Sequence, residues 1–424
     1  MIITFFGSDR SYLRNAFLDA DSNALDIEVL SATSDEIVYS QPGSGAVTTL
    51  TGTGLSLDAD NGVVAGTITS ITFEQASVTI ATYTETDWAL VEFFAAIEGI
   101  STNDFTLFYD LLALTPLTLD ASAAAGGFDL TFPDIFPQTV SATGSDFDDG
   151  LFGGNADDDL RGGKGNDFIK GQGGNDTIIG GAGADRLFDG NGNDVVKGGK
   201  GNDLLFLGIG AGNDLIDGGG GTDTLVYDLS PLEAQQFTVF LDLKEGITGA
   251  VEFPTGRDEI IDVENYTLVG DFDSLVIGDN NDNVLITDKG KDIVSGGGGK
   301  DKIGTGGGKD ELDGGKGNDV LDGGGGKDIL DGGKGKDTLS GGAKADVFIF
   351  GKKGGKDTIV DFEDNLDTLQ LDEALWGGGL NKKKVLKKFA EVDGDDILLD
   401  FGKHELRLEN MSDIDALKND LELI

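Results

Sequence analysis

The sequence predicts a mainly β chain, in which two parallel β-roll blocks follow a β-rich α+β N-terminal part, and three observations carry that prediction. Nonapeptides of the form GGxGxDxUx, with U a large aliphatic residue, recur in two arrays and take up most of the 69 glycines. A large hydrophobic residue, aliphatic in all but one case, stands two positions after the position-six residue through nineteen units, which a stacked core requires and a flexible acidic linker does not. The formal net charge is −46 with 31 basic residues, so a compact state needs cations.

The expected order is a β-rich α+β part over 1–143, a first roll over 144–226, a β insert over 227–268, a second roll over 269–360, and a C-terminal cap and export region over 361–424. In 1–143, glycine turns separate AVTTLTGTGLSLDA, GTITSITFEQ and SVTIATYTETDW, whose alternation of Thr, Val and Ile predicts antiparallel strands. Apolar residues at helical spacing in DWALVEFFAAIEG, with Asp87 as N-cap, predict a helix over Asp87 to Gly99, and NDFTLFYDLLAL suggests a second. Phe93, Phe94, Phe105 and Phe108 read as core.

Within a unit, glycines at positions one, two and four are expected to supply φ > 0, making GGxG a tight turn. Positions six to nine then form a strand whose position-eight side chain points inward. The inward set is Leu151, Leu160, Ile169, Ile178, Leu187, Val196, Leu205, Ile216 and Leu225, then Val276, Leu285, Val294, Ile303, Leu312, Leu321, Leu330, Leu339, Phe348 and Ile359. Two units make one coil.

Successive coils stack at about 4.8 Å, so position-six carboxylates along one edge form a file of like charges. Neighbours at that spacing repel by about 1 kcal/mol in bulk water and by several times that at an effective dielectric near 20. A divalent cation reverses the sign. Calcium takes six to eight oxygens, including carboxylates and backbone carbonyls, whereas the small rigid octahedron of magnesium suits such a site poorly. The candidate metal ligands are Asp149, Asp158, Asp167, Asp176, Asp185, Asp194, Asp203, Asp214 and Asp223 in the first array. In the second they are Asp292, Asp301, Asp310, Asp319, Asp328, Asp337, Asp346 and Asp357. The turn glycines Gly163, Gly165, Gly199, Gly201, Gly219, Gly221, Gly297, Gly299, Gly306, Gly308, Gly315, Gly317, Gly324, Gly326, Gly333 and Gly335 complete the candidate set. Ser274 and Asn283 replace aspartate at the entry of the second array, where weak or no ion binding is expected.

With those motifs in view, both arrays, about 175 of the 424 residues, resemble the RTX family of secreted bacterial proteins. The resemblance implies a roll that is disordered without calcium and folds after export through a type I secretion channel, directed by an uncleaved C-terminal signal. Asp346 to Leu371 is similar to the family's closing segment, and Asp393 to Ile424 resembles its terminal hairpin and export signal. Position five, usually Asn, Asp or Ala, departs from the pattern. The first array keeps Asn166, Asn175, Asn193 and Asn202, but the second carries Lys291, Lys300, Lys309, Lys327, Lys336 and Lys356.

In the insert, QFTVFLDLKEGITGAVEF reads as strands around a Lys244 to Gly246 turn, a β excursion without chemistry of its own. NKKKVLKKF, residues 381 to 389, is the one basic cluster. It reads as a solvated helix face, with docking onto anionic polysaccharide or a neighbouring roll as the alternative.

The acidic balance argues against nucleic-acid binding. There is no cysteine, so ions must serve where an extracellular chain would otherwise use disulfides. MIITFFGSDRSYLRN has too short an apolar run and charges too early for a secretory signal peptide, and no segment has the run of about 18 apolar residues of a transmembrane helix. One histidine, His404, reads as a turn residue, which with no cysteine excludes HExxH, a GxSxG elbow with its histidine, and Cys-His pairs. Glu74, Glu85, Asp87, Glu92, Glu98 and Asp104 leave a two-carboxylate polysaccharide-active enzyme as a lesser reading, without a spacing that singles out a pair.

The expected function is therefore non-enzymatic: a secreted or cell-surface calcium-binding protein that serves as a structural, self-assembling surface or matrix component. The alternative is an adhesin whose residues 1–143 bind surface glycans. Calcium and the type I secretion machinery are the expected partners, and a pore-forming toxin would need long apolar segments that are missing.

Overall fold

One inward residue every nine positions closes a coil in eighteen, and the backbone pairs at that interval. The computed structural model describes residues 137–207, 212–228, 239–243 and 258–424 with their side chains, and Ser122. It describes backbone alone at Thr238, Ile247–Val251 and the strands Ile2–Phe5, Glu28–Ala32, Glu36–Ser40, Ala46–Leu57, Val63–Gln75, Val78–Ala89, Leu117–Asp120 and Asp129–Leu130. The chain divides into two compact units, Met1–Leu205 and Phe206–Ile424.

In the first unit, the three Thr-rich runs form the expected antiparallel strands, with Thr49 opposite Thr72 and Thr72 opposite Thr82. The helix expected from Asp87 is corrected at its start. Val78–Ala89 is one strand, because the β-branched alternation runs on to Thr86 and, past a register shift over Glu85–Asp87, pairing resumes with Trp88 opposite Ile68. The rest of that segment, with Phe93, Phe94, Glu92 and Glu98, and the second expected helix, with Asp104, Phe105 and Phe108, lie outside the described residues.

The roll of this unit has two parallel sheets. Leu119, Ala142, Leu160, Ile178 and Val196 follow one another in register on one, and Leu130, Leu151, Ile169 and Leu187 on the other. The stack thus starts before Gly144, with the strands Leu117–Asp120, Asp129–Leu130 and Val140–Thr143 in backbone register with the roll but without a GGxGxD turn. First-array strands are longer than expected, as in Asp159–Lys164, because pairing resumes after position one, with Gly163 opposite Gly181.

The second unit continues the same plan. On one side Val276, Val294, Leu312, Leu330, Phe348 and Leu369 are in register, and on the other Leu225, Tyr266, Leu285, Ile303, Leu321, Leu339 and Ile359. Every one of the nineteen inward residues is at most 3% exposed. The insert joins the stack. Ile260 pairs with Ile216 and Tyr266 with Leu225, while the hairpin Thr238–Asp242 and Ile247–Val251 inserts its antiparallel second strand beside Glu259–Ile261. The hairpin's first strand returns to parallel pairing, Leu241 opposite Val276.

The C-terminal region closes both sheets. Leu421–Leu423 lies parallel to Thr368–Leu371, and Glu405–Leu408 parallel to Lys356–Ile359, after which Asp396–Asp400 and Ala390–Asp393 add antiparallel strands. Helices α1 (Lys382–Phe389) and α2 (Ile414–Asp420) complete this region. The basic cluster forms α1 as expected, capped by Asn381, with Val385 and Leu386 buried and Lys383, Lys384, Lys387 and Lys388 exposed. His404 lies in the hairpin turn, where its carbonyl accepts from the Phe401 N–H at 2.9 Å and its Nδ1 meets the Gly354 carbonyl. Among the described residues no helix is long and apolar enough to cross a membrane.

Candidate metal centre

A parallel stack places equivalent residues above one another, so within each unit the position-six aspartates form two files, one along each edge, stepping by eighteen residues except from Asp337 to Asp357, where the step is twenty. The coupling is a hydrogen bond. The backbone N–H of each aspartate donates to Oδ1 of the equivalent residue one coil later: Asp149 to Asp167 at 2.8 Å, Asp167 to Asp185 at 2.8 Å, Asp185 to Asp203 at 2.9 Å. On the opposite edge Asp158 donates to Asp176 at 2.8 Å and Asp176 to Asp194 at 2.7 Å. The second array repeats this from Asp292 through Asp310 and Asp328 to Asp346, and from Asp301 through Asp319 and Asp337 to Asp357, at 2.8–3.1 Å.

The other carboxylate oxygen has a different fate. Oδ2 of Asp167, Asp176, Asp185, Asp301, Asp310, Asp319, Asp328, Asp337 and Asp346 is buried and accepts no hydrogen bond. Burying a carboxylate oxygen without a partner is costly, and the protein meets that cost by holding the carboxyl group neutral or by binding a cation. Burial pushes the Asp176 carboxyl up to about 8, Asp167 and Asp301 to about 7, and Asp185, Asp319, Asp328 and Asp337 to about 6. In each the backbone hydrogen bond pulls the other way, and like-charged neighbours add to the rise.

Oxygens converge beside Oδ2 of Asp167, Asp176, Asp185, Asp301, Asp319 and Asp328. A Cβ on the position-one residue Gly314 would lie 2.8 Å from Oδ2 of Asp319 and 2.7 Å from the carbonyl oxygen of Gly332, one coil on. The same recess recurs at Gly162, between Asp167 Oδ2 and the Gly180 carbonyl, and at Gly296, between Asp301 Oδ2 and the Gly314 carbonyl. The role expected for position-one glycines is corrected here: they keep a recess open, and Gly162, Gly296 and Gly314 have no positive φ. Among the described residues no three carboxylate or histidine side chains cluster around one point, so carbonyls must supply much of any coordination. Calcium accepts that mixture.

Of the sixteen candidate glycines at positions two and four, all but Gly308 and Gly326 have the expected positive φ, from +66° at Gly306 to +152° at Gly221 and Gly335. Those two are short parallel strand residues, Gly308 opposite Gly326, where a Cβ would strike the carbonyl of the coil before. At such positions close backbone approach, as well as φ, requires glycine.

The file ends differ from its middle. Oδ2 of Asp158 accepts from the Gly154 N–H at 2.7 Å, and Oδ2 of Asp149 from the Ser145 N–H. At the entry of the second array, Asp292 is satisfied by two hydroxyls, Ser274 Oγ to Oδ1 at 2.6 Å and Thr287 Oγ1 to Oδ2 at 2.8 Å. Asn283 donates from Nδ2 to the Glu264 carbonyl at 2.7 Å and accepts at Oδ1 from the Asp279 N–H at 3.1 Å. Neutral hydrogen bonds therefore occupy this coil, in place of a bare carboxylate pair.

Three acids extend the files beyond the sequence assignment. The Asp214 N–H donates to Asp258 Oδ1 at 3.0 Å, the Asp223 N–H to Glu264 Oε2 at 2.8 Å, and the Asp346 N–H to Asp367 Oδ1 at 2.9 Å. Each precedes an inward residue by two positions, Ile260, Tyr266 and Leu369, so an acid followed two positions later by a large hydrophobe was present without the double glycine of the turn. Asp367 resembles the other end of the file, since its Oδ2 accepts from the Glu363 N–H at 2.8 Å.

Position five forms a further ladder. Asp157 Oδ1 accepts from the Asn175 N–H at 2.6 Å, and Asn175 Oδ1 in turn from the Asn193 N–H at 2.8 Å. Asp273 and Asp282 serve Lys291 and Lys300 in the same way, both at 2.7 Å. A lysine has no acceptor to offer the next coil, so the second array's lysines end these ladders.

A family model described as the RTX calcium-binding nonapeptide repeat matches residues 152–187, 179–211, 210–229, 277–312 and 304–339. Among curated proteins no relative matches. Among solved structures, the crystal structure of the extracellular lipase LipA from Serratia marcescens is similar at 18% identity, over 62% of this chain and 45% of that one. Its TM-score of 0.23 is too low to bear on fold or activity. The geometry and the matched repeats agree on the ion: buried carboxylate oxygens face carbonyls in recesses that glycine keeps open, and calcium joins them when bound. The chain is a calcium-binding protein built on RTX nonapeptide repeats, of a kind typical of secreted proteins.

Proposed function

We propose that the protein is secreted, that its rolls order on calcium outside the cell, and that it acts non-enzymatically as a self-assembling component of a bacterial surface or matrix. The order of events follows from the carboxylate files. An ion that binds only the folded roll stabilises it by about 2.7 kcal/mol per site at a hundred times its dissociation constant, and the buried Oδ2 oxygens would supply ligands to such sites.

The observation that carries the assembly reading is the outer surface of the second array. Val284 and Val320, two coils apart on one sheet with Lys302 between them, and Ile293 on the other, next to Glu311, are 37, 45 and 38% exposed, so each outer face presents exposed β-branched residues set among charged ones. Exposed apolar positions on a flat sheet favour sheet-on-sheet packing between copies. Light scattering and electron microscopy during a calcium titration test it: growth of ordered polymers with folding supports the proposal, and a strict monomer at high protein and calcium concentration overturns it.

A further inference from the structure

The second array is basic outside its calcium files. With the eight position-six aspartates set aside, residues 269–360 hold thirteen lysines against nine acidic residues, in a chain of net charge −46. Four of these lysines, Lys316, Lys334, Lys352 and Lys353, are exposed and line one groove of about 690 Å³, within the roughly 300–1,000 Å³ of small-ligand clefts.

The groove inherits the repeat. Lys316 and Lys334 are parallel bridge partners in one column, fixed by main-chain bonds from the Lys316 N–H to the Gly297 carbonyl at 3.0 Å and from the Lys334 N–H to the Gly315 carbonyl at 2.7 Å. Asp313 and Asp331 are register partners in a second column on the same wall. Asp331 keeps its orientation through Oδ1, which accepts from the Gly333 N–H at 3.0 Å. Two columns, one of ammonium donors and one of carboxylate acceptors, thus advance together by one coil, about 4.8 Å at a time.

We propose that this groove binds a linear acidic polysaccharide laid along the stacking direction, with the lysine column taking its carboxylates and Asp313 and Asp331 accepting hydrogen bonds from its hydroxyls. The periodicity argues for a repeating polymer, and the mixed lining for its chemistry. A polyanion without hydroxyls would be repelled by the aspartates, and a neutral glycan would leave the lysines idle. A sugar acid carries both groups on every unit. The inference does not depend on self-assembly, and it confines binding to the calcium-loaded roll, in which the acidic files are neutralised.

The test is calorimetric titration of the full chain, at fixed calcium, with a tetramer of galacturonic acid, which is too short to gel. Tetraglutamate and the methyl-esterified tetramer serve as comparisons. Binding of the acid tetramer that falls at least tenfold in Lys316→Gln/Lys334→Gln, but is unchanged in Lys383→Gln/Lys387→Gln on α1, supports the site; circular dichroism at the same calcium checks that each variant is folded. The variant Asp313→Ala/Asp331→Ala separates recognition from charge: the proposal expects weaker binding of the sugar acid and stronger binding of tetraglutamate. Absence of binding by the wild-type chain, equal binding of tetraglutamate, or tighter sugar-acid binding by the aspartate variant would each overturn it.

Discussion

The backbone N–H of Asp301 donates to Oδ1 of Asp319 at 2.8 Å, while Oδ2 of Asp319 stays buried with no hydrogen-bond partner. One oxygen ties coil to coil, and the other lies in the recess at Gly314 with the Gly332 carbonyl. This division separates two contributions that a single substitution would ordinarily merge.

Asp319→Asn keeps an acceptor for the Asp301 N–H but removes the charge. The expected result is loss of calcium binding at that step and a rise of about tenfold in the calcium concentration at half-folding, about 1.4 kcal/mol. Asp319→Ala loses the coil-to-coil bond as well and should shift the midpoint further. A calcium titration by far-ultraviolet circular dichroism, with ion counting, measures both; identical midpoints for Asn and wild type would dissociate Asp319 from the ion.

Acid should replace calcium in part. Burial raises Asp176 and Asp357 to about 8, Asp167 and Asp301 to about 7, and Asp158, Asp185, Asp319, Asp328 and Asp337 to about 6, above the unfolded value near 4. An acid whose folded pKa is raised contributes stability that is present below the unfolded value and lost as pH rises through the folded one. Chelator-treated protein should therefore hold most β structure near pH 4–5 and lose it between pH 6 and 8, whereas calcium-loaded protein should not. A chelated roll that became more ordered toward pH 8 would contradict the sign.

Asn283→Asp restores the repeat signature yet places a carboxylate beside the Glu264 carbonyl, where Nδ2 now donates at 2.7 Å. In chelator the variant should be less stable than wild type, by about 1–3 kcal/mol for the lost and reversed polar contact. Added calcium should recover the difference, since Oδ1 of residue 283 lies with the Gly296 carbonyl at the recess of Gly278, as Oδ2 of Asp301 does with the Gly314 carbonyl at Gly296. Thermal melts with and without calcium compare the two chains.

Leu312→Ala removes a fully inward side chain that is 1% exposed and packed in register between Val294 and Leu330. The expected cost is about 2–5 kcal/mol. Because each coil rests only on its neighbours, the loss should appear as earlier local exchange of amides around residues 294–330, measured by hydrogen exchange in saturating calcium.

The nonapeptide made the roll legible because a single inward position, such as Leu312 or Ile169, recurs with a fixed partner aspartate. The same logic was readable in reduced form at Asp258, Glu264 and Asp367, which keep the acid and the hydrophobe but lose the double glycine. Leu119, Leu130 and Ala142 could not be read this way, since they stack on the roll without any turn signature of their own. Asp87 failed for a different reason: its neighbourhood suits a helix cap locally, and the ladder to Val63–Gln75 outweighs that preference. The unlike chemistry of the file ends, where Gly154 or Glu363 supplies an N–H to the second carboxylate oxygen, depends on which coil lies next to which, and repeat counting treats all units alike.

The position-five ladders carry one more consequence. In the first array Asp157 and Asn175 pass an acceptor from coil to coil on one edge and Asn166 on the other as far as Ala184. In the second the relay stops at Lys291 and Lys300, with Asn318 resuming it for one step to Lys336, which leaves the second array more dependent on its ions. Two arrays with unequal support should order at two calcium activities, the first lower than the second, and a titration followed through segment-specific hydrogen exchange would resolve the two steps. Between those thresholds the molecule would be a graded gauge of its surroundings, half set in dilute calcium and fully set only where the ion is abundant.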